Sequence, residues 1–280
     1  MRATLFALAV VLTAAPAFGQ DRDGPAPRVP IDDPTGGAYT PPSPIFTPAA
    51  ALPTLNVRAR AGVEVQPAGG YNAARPLLDV EFGLGRGFTL AAGTTWVGGT
   101  PTFDASTLSA YGQVRWQFFG RPDGLGFIGG TALAFKANGY RGGEPEAELS
   151  VSLQYRLRRV EFGFQGVLGQ GLEEFGERDL EARLYAAWRP IPSLALGAST
   201  QLRGELGDEE EEAAREALCR ATPGSPQCGA DVDLIAGGIA SFTYERWQVG
   251  ALIGASSIGL ARVDQFTMGF YSSITGSVRF

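Results

Sequence analysis

Asp79 and Glu81 stand two residues apart in LLDVEFGL, a spacing that puts both side chains on one face of an extended strand. Paired carboxylates can share general acid–base work when their surroundings drive their pKa values apart. Such carboxylates more commonly pair with neighbouring arginines, which is the preferred reading here. The sequence contains no histidine. That removes both the usual base of nucleophilic catalysis and the commonest metal ligand. Cys219 and Cys228, in CRATPGSPQC, are the two cysteines. Two thiols are too few for a zinc site, and a disulfide closing this small Pro/Gly loop is the expected state in an exported chain. GLGRG at 83–87 and GQG at 169–171 precede no helical pattern and read as turn glycines, not a phosphate cradle. The expectation is no enzymatic activity, no cofactor and no metal.

These side chains are positioned by strands. Leu55, Val57, Ala59, Ala61, Val63 and Val65 alternate with Asn56, Arg58, Arg60, Gly62, Glu64 and Gln66. A period of two gives one apolar and one polar face. The pattern recurs as Leu78, Val80, Phe82 and Leu84 against Asp79 and Glu81, and as Val151, Leu153 and Tyr155 against Ser150, Ser152 and Gln154. Strands are predicted at 54–66, 73–85, 87–97, 106–118, 125–136, 146–157, 160–169, 178–188, 193–205, 232–244, 247–257 and 266–280. Register is ambiguous at 125–136 and 232–244, where Gly and Ala blur the two faces. Most segments have about the 9–11 residues that cross a bilayer as a tilted strand. The connections alternate long and short, beginning with QPAGGYN as long and GRG as short. That rhythm suits external loops and periplasmic turns, with both ends of the strand array on the periplasmic side.

Composition agrees. Glycine numbers 39, aromatics are 10% and charged residues only 19%, low for a chain with a wet outer surface. A net charge of −6 gives no support to a nucleic-acid role, which would show a basic patch. Arg2 followed by apolar LFALAVVLTAAPAF and the small residues Ala17 and Gly19 reads as a signal peptide over 1–19, cleaved before Gln20. Residues 20–53 hold nine prolines and read as a flexible periplasmic extension or linker. Threading into a barrel as a plug, or binding a partner, is the less favoured alternative. Tryptophans 116, 188 and 247 fall at periplasmic strand ends and Trp96 at an external end, as expected for interfacial girdles.

The segment FTMGFYSSITGSVRF alternates apolar and small polar residues up to Phe280. It resembles the C-terminal strand of bacterial outer-membrane β-barrel proteins. That resemblance, which covers 54–280, implies an all-β, antiparallel up-and-down transmembrane barrel of about twelve strands in the bacterial outer membrane. It also implies outer-membrane lipid and lipopolysaccharide as surroundings, and recognition by the barrel assembly machinery through the Phe280 strand. Enzymes of this class use a histidine base, which this chain lacks.

In such a barrel the polar face lines the lumen. The candidate pore-lining residues are Arg58, Arg60, Arg115, Arg156, Arg183 and Arg203 with Glu64, Asp79, Glu81, Glu148, Glu161, Glu181 and Glu205. Six cations against seven carboxylates should form salt-bridged ladders with little net field. The acidic run DEEEEAAREAL at 208–218 reads as a short external helix with a solvated face. The expected function is a porin-like passive channel for small polar solutes. The alternative is a non-conducting structural or surface-interaction barrel acting through its external loops.

Overall fold

A computed structural model describes residues 40–68, 71–96, 108–120, 126–137, 145–172, 178–206, 217, 220–221, 232–258 and 267–280. Twelve strands follow one another: β1 Val57–Ala68, β2 Tyr71–Gly85, β3 Phe88–Trp96, β4 Leu108–Phe119, β5 Gly126–Ala137, β6 Pro145–Arg156, β7 Val160–Gly171, β8 Arg178–Ile191, β9 Leu194–Leu206, β10 Val232–Tyr244, β11 Trp247–Ile258 and β12 Thr267–Arg279. Each pairs antiparallel with its sequence neighbours, and β1 pairs with β12 to close the barrel. Closure leaves no edge strand, so every ladder group within the bilayer finds a partner. At the seam, Val57 and Phe280 exchange both backbone hydrogen bonds, at 3.3 and 2.8 Å.

The faces follow the sequence pattern. Asp79 and Glu81 are 3% and 5% exposed, whereas Val80 and Phe82 between and beside them are 47% and 37% exposed. The outward set is apolar from strand to strand: Leu90, Val114, Leu133, Val151, Leu184, Leu202 and Ile253 are all exposed. A surface of that kind is stable against lipid chains, not water. Near the turn end it is ringed by aromatics. Phe88 stacks on Trp116 at 5.9 Å and Phe127 lies 4.3 Å from Tyr155, while Trp188, Tyr244 and Trp247 stand exposed. The Trp96 side chain lies outside the described residues.

The loop rhythm departs from expectation at one place. β1 runs to Ala68 and β2 starts at Tyr71, so the QPAGGYN stretch is mostly ladder, with Pro67 paired to Asn72. The other external connections span 97–107, 138–144, 172–177, 207–231 and 259–266, against turns as short as 86–87, 192–193 and 245–246. In the first of these turns Arg86 has a φ of 51° between Gly85 and Gly87, both also positive, a left-handed path that glycine makes cheap. The signal-peptide segment, Cys219 and Cys228 lie outside the described residues. So does most of 208–218, of which Ala217 alone is described.

The larger correction concerns the proline-rich stretch. The part that is described, 40–53, does not extend away from the barrel. It runs inside it.

Candidate functional site

Residues 40–53 form an inner strap that walks round the wall in strand order. Gln248 on β11 donates through Nε2 to the carbonyls of Thr40 and Pro41 at 3.4 and 3.2 Å. The Ser43 and Ser199 (β9) hydroxyls lie 2.9 Å apart. Arg183 on β8 donates to the carbonyl of Ile45 at 2.9 Å. The strap N–H groups of Thr47, Ala49 and Ala51 then donate to Gln165 (β7), Gln154 (β6) and Gln117 (β4) at 3.2, 2.7 and 2.9 Å. Leu52 N–H donates to Thr89 Oγ1 (β3) at 2.9 Å. Thr47, Ala49 and Ala51 recur every second residue, so three glutamine side chains act as the carbonyls of a neighbouring strand. Five prolines in the strap, at 41, 42, 44, 48 and 53, remove N–H donors that the lumen would otherwise have to satisfy.

Apolar contact completes the fit. Phe46 packs edge-on against Tyr185, ring centroids 4.8 Å apart, in a buried cluster with Ile239, Leu252 and Tyr271. Ala49 and Ala50 pack on Ile128. On β5 and β10, the two strands whose faces Gly and Ala blur in sequence, Ile128 and Ile239 turn inward and pack with the strap residues. Two wall glycines give the strap room. A Cβ on Gly130 would lie 2.6 Å from the Ala49 carbonyl oxygen, and one on Gly83 would collide with the Pro53 carbonyl.

The charged residues form ladders among themselves. Glu81 is shared by Arg58 and Arg115, and Arg58 also donates to Thr40 Oγ1 at 2.5 Å. Glu161 is shared by Arg156 at 3.8 Å and Arg189 at 3.3 Å. Arg60 pairs with Asp79 at 2.6 Å. Nearer the external ends, Arg183 pairs with Glu181, Lys136 with Glu148 and Arg203 with Asp179. Glu64 stands opposite Arg75, and Asp233 opposite Arg203. Every sequence-derived lining candidate with a described side chain therefore points inward; the Glu205 side chain lies outside the described residues. Arg75, Lys136, Glu146, Asp179, Arg189 and Asp233 also face inward and were missed. Arg189 precedes Pro190, where the readable alternation stops, but the strand continues to Ile191.

Above the strap lies a cavity of about 560 Å³. Its floor is Pro44–Pro48, and its wall includes Glu64, Arg75, Tyr111, Lys136, Glu148 and Arg203. The strap thus fills the periplasmic half of the lumen, and a polar vestibule occupies the external half. Among the described residues, no cluster of His, Cys, Asp and Glu is suited to hold a metal ion.

Solved outer-membrane channels share this architecture, among them the following two. The NanC porin superposes with a TM-score of 0.51 at 10% identity, over 79% of this chain and 98% of its own. An outer membrane channel from Pseudomonas putida F1 gives 0.52 at 13%, over 84% of this chain and 100% of its own. The chain has the fold of a bacterial outer-membrane β-barrel. Its apolar belt and closed ladder place it in that membrane. No protein-family model and no curated protein matches the sequence.

Proposed function

We propose that this barrel is a channel for small polar solutes, held closed by the strap of residues 40–53 and opened by its displacement. The observation that carries this reading is the chemistry of the wall behind the strap. Gln117, Gln154, Gln165, Ser152, Ser199 and Gln248 are all buried, and each contacts the strap through a hydrogen bond. A lumen packed only for stability favours apolar filling, because buried polar groups are costly unless satisfied. A polar wall that bonds a peptide in one state can bond water in the other. Each strap hydrogen bond contributes only about 0.5–1.5 kcal/mol net, so the strap is held by many weak contacts. The vestibule above supplies the external entrance.

The test uses the full chain in planar bilayers. Gly130→Val puts a side chain where the Ala49 carbonyl sits and should evict the strap without altering any charge. The intact protein should be closed for most of the recording, and the Gly130→Val protein should conduct steadily. If Gly130→Val folds, shows an accessible strap and stays silent, the reading fails and a non-conducting interaction barrel replaces it.

A further inference from the structure

Along β1 to β11 the described inward charges total nine cations and nine carboxylates, yet they are not evenly spread. In the periplasmic half stand Arg58, Arg60, Arg115, Arg156 and Arg189 against Asp79, Glu81 and Glu161, five to three. The external half reverses the ratio, four to six. The periplasmic excess is concentrated where two guanidiniums share one carboxylate, at Glu81 on one wall and at Glu161 on β7. Arg58, Glu81, Arg115, Glu161 and Arg189 are each at most 5% exposed beneath and beside the strap.

Balance over the whole lumen does not cancel these tiers. Arg58 and Glu64 are six residues apart on β1, roughly 20 Å at about 3.3 Å per residue. That exceeds the screening length of about 10 Å in 0.1 M salt, so each tier acts on a passing ion locally. The planar fork of a guanidinium can serve a second oxyanion beside the carboxylate it already pairs with, and Arg115, which shares Glu81 with Arg58, is placed to do so. In Arg115 the buried Nε has no hydrogen-bond partner, and the side chain borders the vestibule.

We infer that the periplasmic tier built on Arg58, Arg115, Arg156 and Arg189 is an anion-selecting site for small carboxylate- or phosphate-bearing solutes. It rests on the channel reading above and operates when the strap is displaced. The polarity is directional: a solute leaves a carboxylate-rich vestibule and passes an arginine-rich tier before reaching the periplasm.

The measurement is the reversal potential across a potassium chloride gradient in the full-length Gly130→Val protein. Chloride should be preferred over potassium severalfold, and millimolar inorganic phosphate should reduce the chloride current. Arg58→Gln with Arg156→Gln should bring the ratio close to unity and abolish the phosphate effect. That pair leaves no carboxylate alone, since Glu81 keeps Arg115 and Glu161 keeps Arg189. A silent Gly130→Val protein would remove the channel reading and this inference with it. A conducting one without chloride preference, or with a preference indifferent to Arg58 and Arg156, overturns the inference alone.

Discussion

Ala49 donates its backbone N–H to Gln154 Oε1 at 2.7 Å, across 105 residues of sequence, and the same glutamine donates through Nε2 to the Tyr185 hydroxyl at 2.9 Å. One wall side chain therefore fixes the strap and the ring that meets Phe46 edge-on. Gln154→Ala leaves a buried N–H without an acceptor, a loss of about 1–3 kcal/mol in strap retention. With Ala51→Cys as reporter, labelling by a membrane-impermeant thiol reagent should speed up at least severalfold in Gln154→Ala. Gln113→Ala, on the vestibule wall, should leave the rate unchanged. Equal rates in the two would show that glutamine bonding does not hold the strap.

The shared carboxylates make a second, energetic prediction. Glu161 is 1% exposed between Arg156 and Arg189. Glu161→Gln takes the charge from between two buried guanidiniums and should cost about 3–5 kcal/mol, as for breaking a buried ion pair. Glu148 and its partner Lys136 are partly solvated, with side chains 16% and 32% exposed. Glu148→Gln should cost no more than about 1 kcal/mol. Urea unfolding from lipid vesicles ranks the two variants, and an inverted order would contradict the burial argument.

Face assignment is testable by a single introduced charge. Val151→Arg or Leu184→Arg, on the lipid side near mid-strand, should each destabilise the barrel by about 2–4 kcal/mol. Gln113→Arg and Gln201→Arg point into the vestibule and should be far milder. Ser152 and Gln154 are unsuitable inward controls because both bond the strap. Similar penalties at lipid and vestibule positions would mean that the faces are exchanged.

Export and assembly give a fourth prediction. The mature chain should begin near Gln20, sediment with outer membranes and migrate differently in detergent gels before and after heating. A soluble periplasmic protein, or an uncleaved N-terminus anchored in the inner membrane, would be incompatible with a transmembrane barrel made this way.

What could be read from sequence depended on how locally the information is held. Each strand declares itself within about ten residues, because alternation such as Asp79-Val80-Glu81-Phe82 is a local consequence of one face meeting lipid and the other the lumen. All twelve strands and the inward direction of Arg58, Glu81, Arg115 and Glu161 were legible for that reason. The strap was not. A segment with prolines at 41, 42, 44, 48 and 53 has the same composition whether it floats in water or lines a barrel. What decides is a set of acceptors at Thr89, Gln117, Gln154 and Gln165, brought together only by barrel closure. The one local trace was indirect, namely the blurred faces of 125–136 and 232–244, where Ile128 and Ile239 turn inward onto the strap. Charge segregation escaped for a related reason: counting gives a near-neutral lumen, but height within the barrel needs the register of all the strands at once.

The strap contains no ionisable side chain from Thr40 to Pro53. Carrying one elementary charge through 100 mV exchanges about 2.3 kcal/mol of work with the membrane potential; carrying this segment out of the lumen exchanges essentially none. The membrane potential therefore does no direct work on the strap, and in the proposed gate its displacement rests on competition for the glutamine acceptors. Openings in a planar bilayer should come equally often at either sign of applied voltage: the barrier is blind to the field across it.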